Sequence, residues 1–325
     1  MEFFNATSAG AGFVNTTFGE HHMLAAVVAR PAFRVDEGQL LLTPEFSFPM
    51  GKDVPFLTGG IDVFVIGSVW QPYGQPGTEL TASISIGERF LRCITVIGDR
   101  RWIRANGALV PGEPEPFVSM PLSYDRAFGG AAETIHGPCA WPANPGGKGF
   151  HLSPEQAEGQ PLPNLEDPDR RIRSIEDQPE PMATGPYPAE GSLRVENAVE
   201  VDLQPENPGI KRIKPLVFNH AHPRMILEPS NTPRPGEQIE ITHASRQGSL
   251  RFSMPELEYH VHVHLEHRNY FFPLHLDQIV VLLDEQRVVL GYRVVFQYRL
   301  VKREHRTVML RQGSVPEGQI AVTQI

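Results

Sequence analysis

Leu80-Thr-Ala-Ser-Ile-Ser-Ile-Gly-Glu-Arg-Phe-Leu-Arg-Cys-Ile-Thr-Val-Ile97 alternates apolar and polar side chains in two consecutive runs parted by Gly87-Glu88. In the first run Leu80, Ala82, Ile84 and Ile86 fall on one side and Thr81, Ser83 and Ser85 on the other; in the second, Phe90, Arg92, Ile94 and Val96 share a side. Successive side chains of a strand point to opposite faces, so this period marks two half-buried strands, and the glycine between them predicts a hairpin with a two-residue turn. Gly98-Asp99 supplies another turn before Trp102 and Ile103, which extends the expectation to a three-stranded meander. The preceding run from Ile61 to Val69 is apolar on both faces, as a central strand covered on both sides should be.

Period two returns in the last third of the chain. Leu257, Tyr259, Val261, Val263 and Leu265 fall on one face, with Glu258, His260, His262, His264 and Glu266 on the other. Ile279–Leu283, a turn at Asp284-Glu285-Gln286 and Arg287–Leu290 read as a hairpin, and Tyr292–Leu300 as a half-exposed strand. No segment keeps a helical period over three turns. Ser153–Glu158 is a short helical candidate, with Ser153 placed to cap and Pro154 at the first helical position.

The composition agrees. Among 325 residues stand 31 prolines and 29 glycines, an excess over the roughly 12 percent of an average protein. Turn formers in that number favour short strands joined by bends. From Gly112 to Pro188 the periodicity gives way to proline-punctuated loops that nevertheless carry Phe117, Tyr124, Phe128, Trp141, Phe150 and Tyr187. Disordered linkers are poor in aromatics, so this stretch is expected to be ordered and folded over the sheets. The predicted fold is therefore mainly β, with antiparallel sheets in a sandwich or barrel-like arrangement, a long ordered Gly/Pro-rich loop layer and few short helices. The boundaries read from composition are an N-terminal β region with loops over 1–176, a proline-rich hinge or linker over 177–191, and a C-terminal β region over 192–325 that can pack with the first as one domain.

Three runs inside the loop layer specify particular bends: Pro121-Leu-Ser-Tyr-Asp-Arg-Ala-Phe-Gly-Gly130, Asn144-Pro-Gly-Gly-Lys-Gly-Phe150 and Leu162-Pro-Asn-Leu-Glu-Asp-Pro168. Paired glycines reach conformations closed to other residues, and proline fixes its own φ while driving its predecessor out of the helical region. Phe128 and Phe150 offer a hydrophobic anchor beside each glycine cluster. Together with Asp62-Val-Phe-Val-Ile-Gly67, Gln71-Pro-Tyr-Gly-Gln-Pro76 and Val96-Ile-Gly-Asp-Arg-Arg-Trp102, the set resembles the signature of the bacterial family called domain of unknown function 2169 (DUF2169). The likeness covers residues 50–170 closely; more loosely, Phe218-Asn-His-Ala-His-Pro223, Leu276-Asp277 and Gly291-Tyr-Arg293 are similar to the family's second half.

That resemblance implies a protein found beside type VI secretion effectors: an adaptor or chaperone that binds an effector and promotes its loading onto the spike protein VgrG. The residues it singles out as signature and candidate partner contacts are Tyr124, Asp125, Arg126, Phe128, Gly129, Gly130, Asn144, Pro145, Gly149, Phe150 and Asn164. Arg126 is read as donating to loop carbonyls and Asp125 as capping a turn, with direct partner contact as the other reading. An effector segment can also be held by strand addition to a sheet edge, for which Tyr292–Leu300 is a candidate.

Other chemistries are weighed against these. His260, His262 and His264 share a strand face with His267 just beyond, and His-x-His can present two imidazoles to one ion. A solvated polar face explains the same alternation and is preferred; with His220 and His222 the cluster supports the alternative of a metal-dependent, cupin-like β enzyme, and without any metal it is a patch sensitive to pH. A third possibility is a structural component of the secretion particle. Asn144–Phe150 fails as a phosphate loop, because Pro142 and Gly149 stand where a glycine and a Ser or Thr are needed. A Gly-x-Ser-x-Gly elbow, a His-Glu-x-x-His helix and a Cys-x-x-Cys pair are absent from the sequence. No enzymatic activity and no cofactor are expected.

Net charge is −9, which argues against nucleic acid as a partner and steers toward basic protein surfaces. Cys93 and Cys139 are too few for a disulfide framework. The N-terminus lacks the cationic patch of a secretory signal, and the apolar run Met23–Ala29 is too short to span a bilayer. A cytoplasmic protein without membrane insertion is the expectation.

Overall fold

The structure, a computed structural model, describes residues 1–17, 22–43, 58–188, 219–265, 268–299 and 306–317. It is mainly β, built on three larger sheets. The eight-stranded sheet runs in the order Ile226–Leu227, Ile61–Ile66, His275–Leu282, Arg287–Arg299, His22–Arg30, Gly10–Thr17, with Ala32–Asp36 also on Arg287–Arg299 and Gln39–Leu42 beyond it. The five-stranded sheet runs Leu165–Glu166, Phe90–Ile97, Glu79–Ile86, Gln238–Ser245, Gly248–Ser253; the four-stranded sheet runs Glu2–Asn5, Thr307–Gln312, Tyr259–Leu265, Arg268–Pro273. Among the described residues none of these closes into a barrel. Their inward side chains meet in one apolar cluster that includes Val27, Val65 and Ile279 of the first sheet, Ile84, Ile94 and Phe252 of the second, and Val261 and Leu310 of the third. Strands from the first 176 residues and strands beyond 219 alternate within the larger sheets, so the two halves of the chain are interleaved.

Pairing is mostly antiparallel, with an exception at the centre. Ile61–Ile66 lies parallel to His275–Leu282, with Val63 opposite Ile279. Both strands are nearly continuous apolar runs, as a parallel pair covered on both faces requires. The strand predicted to run to Val69 stops at Gly67, whose φ of +128° turns the chain; Ser68–Trp70 then pairs separately with Ser119–Pro121.

The Leu80–Ile97 hairpin forms as predicted, except that its loop has three residues, since Ile86 pairs with Phe90. The Gly87 N–H is taken by Gln238 O of the adjacent strand at 2.9 Å, which ties the loop back. The meander is not completed. Leu165–Glu166 of the third loop run takes the open edge of Phe90–Ile97, and Trp102–Ala105 folds back on Ala108–Pro111 around Asn106-Gly107, both at positive φ. The strand predicted from Tyr292 as half-exposed is buried on both faces from Gly291 to Phe296. It is paired on both edges as far as Arg293 and thereafter against His22–Val27. Its central position removes it as an edge for strand addition, whereas Gly10–Thr17 is paired on one side only among the described strands.

Pro154–Ala157 is a single helical turn, and Ser153 Oγ accepts the Gln156 N–H at 3.4 Å as the capping reading requires. Of the proposed 177–191 linker, residues 177–188 are described. Met182, Ala183, Thr184 and Tyr187 there are buried, and Val65 N donates to Thr184 O at 3.0 Å, so this part lies along the core. Residues 192–218 of the C-terminal region, Phe218 of the His-x-His run and His267 fall outside the described residues. No helix among the described residues is long and apolar enough to cross a membrane.

Candidate functional site

The three loop runs converge. Tyr124–Arg126 forms one tight turn, with Ala127 N bonded to Tyr124 O at 3.2 Å, and then Phe128-Gly129 lies parallel to Lys148-Gly149. Asn144 sits between the two strands, fully buried. Its Nδ2 donates to Tyr124 O at 2.7 Å and Phe128 O at 3.0 Å, while its backbone O accepts from Gly130 N at 2.9 Å and Gly147 N at 3.2 Å. That approach explains the glycines. Gly129 has φ +148°, and a Cβ there would lie 2.1 Å from Asn144 O; Gly149, at φ +98°, would drive one to 2.7 Å from Pro163 Cδ. Pro145 follows Asn144 and holds the bend into the Gly146-Gly147 turn.

Asn164 performs the same service for the third run. Its Nδ2 donates to Ile97 O at 2.9 Å and Asp99 Oδ1 at 3.0 Å, its Oδ1 accepts from Arg126 Nη1 at 3.4 Å, and its backbone joins Ile97 to Arg126. Beside it Glu166 is buried against Arg100 and Arg171, and Arg171 reaches on to both oxygens of Glu79 at 2.9 Å. Burial pushes the Glu166 carboxyl up from the ordinary range, and the two guanidinium groups oppose that shift.

Under these loops lies a second hydrophobic core, separate from that of the sheets. Trp102, Phe128, Phe150, Ala157, Leu162 and Ile172 form it, with Trp141 packed at 5.4 Å from the Phe128 ring and 5.3 Å from Phe150. The ordered loop layer expected from its aromatics is thus a packed body. All eleven signature residues belong to this assembly, and most serve as its frame: Phe128, Gly129, Gly130, Asn144, Phe150 and Asn164 are buried. The face that remains is charged. Arg126 lies 3.6 Å from both Asp99 and Asp125, and Lys148 3.7 Å from Asp99. Arg126 therefore pairs with carboxylates and an amide, not with the loop carbonyls expected of it, because Asn144 already satisfies those. Asp125 accepts from Ser123 Oγ. The hydrogen bond from Asn164, followed by Lys148 and Arg126, holds the Asp99 carboxyl below the usual range.

Sequence reasoning missed Ile135. It stands at the tip of the Ala131–Thr134 and Gly137–Ala140 hairpin, which Thr134 closes through Gly137 O at 2.6 Å, and it is 95% exposed. The available signal was an isolated isoleucine inside the turn-forming run Thr134-Ile-His-Gly137.

The family model described as an uncharacterized protein conserved in bacteria (DUF2169) matches residues 15–293. The chain belongs to the DUF2169 family. No curated protein and no solved structure matches it.

The DUF2169 match extends through the second-half residues, whose roles the structure shows. Asp62, buried on Ile61–Ile66, accepts from Asn219 Nδ2 at 2.9 Å, His220 N at 2.9 Å and Ala221 N at 3.2 Å. Burial outweighs these bonds and raises its pKa to about 6. His222 Nδ1 accepts from Arg224 N at 3.2 Å, and its ring meets Tyr187 edge-on at 4.7 Å; burial, then Arg92 and Arg224, lower its pKa to about 4. Asp277 Oδ2 takes Arg293 Nε at 2.5 Å in a buried pair, and Gly291 is a glycine because a Cβ would lie 2.7 Å from Asp277 Oδ1.

The strand histidines of this DUF2169 chain are partly buried, correcting the expectation of a solvated face. His260 is buried with Nδ1 2.8 Å from Gly313 O; His262 stacks on Phe271 at 4.7 Å; His262 Nε2 and His264 Nδ1 each lie 2.9 Å from Asn269 Oδ1. They stand on the four-stranded sheet, whereas His220 and His222 stand against Asp62 and Tyr187. Among the described residues no group of three or more His, Cys, Asp or Glu is placed to hold a metal ion.

Proposed function

We propose that this DUF2169 protein is a cytoplasmic adaptor or chaperone that binds a type VI secretion effector and promotes its loading onto the VgrG spike. The observation that carries the reading is the use made of the signature residues. Asn144, Asn164 and the glycines spend their buried polar groups and close approaches on the shape of one packed layer, which presents Asp99, Asp125, Arg126 and Ile135 outward. A rigid frame with a charged rim and an exposed apolar tip suits recognition of a protein surface, since little conformational freedom is lost on docking.

The test is co-purification with the product of the neighbouring reading frame. The parent protein is expected to retain that effector, and Ile135→Asp combined with Asp125→Lys to retain about tenfold less, with unchanged melting temperature because both side chains are exposed. An effector that accumulates and is delivered equally well in cells lacking the protein would refute the proposal.

A further inference from the structure

Gly10–Thr17, the last strand of the eight-stranded sheet, runs for eight residues without a charge, a proline or a bulge. Its register against His22–Arg30 is unbroken from Gly10 opposite Arg30 to Thr17 opposite Met23. Among the described residues its other side is unpaired. Every second residue therefore turns an N–H and a C=O outward with no partner strand. Such an edge is a template for another chain, and proteins that do not use one blunt it with brevity, charge, proline or a covering segment. Among the described outer strands, two others exceed four residues, and both are blunted. Arg268–Pro273 opens with an arginine and closes with a proline. Gly248–Ser253 carries Arg251, paired with Glu240 at 2.8 Å, and Ser253 N donates to Gly38 O at 3.2 Å in the turn between Ala32–Asp36 and Gln39–Leu42.

The surroundings of the open edge are apolar. Phe13 stacks on Phe3 with ring centroids 5.8 Å apart, which joins this edge to Glu2–Asn5, the outer strand of the four-stranded sheet. Phe4 in that strand is 47% exposed, and Phe13 and Val14 are half-buried. The edges of two sheets thus meet on one side of the molecule.

We propose that this side binds a second copy of the chain, with the two Gly10–Thr16 segments antiparallel about a two-fold axis at Phe13, so that the eight-stranded sheets of both copies run on as one. An axis through a residue keeps the paired side chains on matching faces. Phe13 then lies opposite the partner's Phe13, and Gly10 opposite the partner's Thr16. Directly opposed aromatic residues are among the favourable cross-strand pairs. Charge selects the occupant. The strand has no carboxylate to receive a basic surface, whereas two uncharged strands meet with no like charges opposed. The net charge of −9 on each copy is screened beyond about 8 Å at physiological salt. A two-fold contact also closes on itself and leaves neither edge open to further addition. This dimer does not depend on the adaptor role and stands if that role fails.

The experiment is sedimentation velocity on the full-length protein from about 1 to 100 μM, where the parent should convert from monomer to dimer. Gly10→Lys with Thr16→Lys sets lysines opposite one another at both ends of the pairing. A Cβ at Gly10 meets nothing nearer than Arg30 O at 3.6 Å, so the strand keeps its place on His22–Arg30. That variant should dissociate at least about tenfold more readily, with its circular dichroism unchanged. Gly10→Glu with Thr16→Lys places opposite charges across the same positions and should restore the dimer, which a misfolded strand could not do. A parent protein that is monomeric throughout the range overturns the inference. A dimer that the lysine pair leaves intact puts the contact elsewhere and overturns it too. A monomeric parent whose retention of the effector falls with the lysine pair assigns the edge to an effector strand and removes the second copy as its occupant. Effector delivery that does not need the protein refutes the adaptor reading alone.

Discussion

Two buried titrating groups, Asp62 and His222, are predicted to pull stability in opposite directions over the same pH window. His222 is held neutral in the fold, with its pKa lowered from 6.5 to about 4. The unfolded chain takes up a proton near pH 6.5 that the folded protein refuses, so the stability His222 contributes is complete above that pH and is lost as pH falls through about 4. At about 1.4 kcal/mol per pKa unit, the full swing is on the order of 3 kcal/mol, of which about 2 kcal/mol is gone near pH 5. Asp62 is raised from 3.8 to about 6. Its contribution is fully present below pH 3.8 and is lost as pH rises through about 6, again on the order of 3 kcal/mol. The two nearly cancel in the parent protein. His222→Asn keeps an acceptor for the Arg224 N–H but cannot titrate, so it should unmask Asp62. Relative to the parent, the variant loses packing against Tyr187 at every pH, yet should recover about 2 kcal/mol between pH 7 and pH 5. Urea unfolding of both proteins at constant ionic strength across that range measures it, and Asp62→Asn should show the opposite trend. A free-energy difference between His222→Asn and the parent that stays flat with pH would refute the reasoning.

Gly129→Ala places a Cβ 2.1 Å from Asn144 O at a φ of +148°. It should lower stability by about 2 kcal/mol or more, read as a fall in melting temperature with loss of tryptophan emission order around Trp141. Dialysis against EDTA should leave the melting temperature and metal content of the protein unchanged, with His262 and His264 both engaged by Asn269. Stoichiometric zinc, iron or manganese released only from the parent and not from His262→Ala would replace that expectation with the metal-dependent reading.

Much of the fold is legible in local pattern. The Leu80–Ile97 hairpin, the Ile279–Leu290 hairpin and the Ser153 cap all follow from spacing, because each is decided by neighbours a few residues apart. The misreadings lie where distant chain decides. Tyr292–Phe296 alternates as though one side were wet, yet its polar-side member Arg293 is covered, through its buried pair with Asp277. Trp102 reads as part of a meander, yet Asn106-Gly107, a hairpin turn signal, stands directly after its strand and folds it back on Ala108–Pro111. The glycines and aromatics announced an ordered layer, but only coordinates show that Asn144 and Asn164 are the residues around which it closes.

The parallel contact between Ile61–Ile66 and His275–Leu282 bears on how the polypeptide matures. Val63 waits for a partner more than two hundred positions downstream, so on the ribosome the first of these strands emerges long before the second exists. Such distant closure slows assembly and prolongs exposure of sticky segments. A chain whose proposed task is to shelter another protein is thus itself in need of shelter during translation, and its yield should depend on general holdases more steeply than its finished stability does.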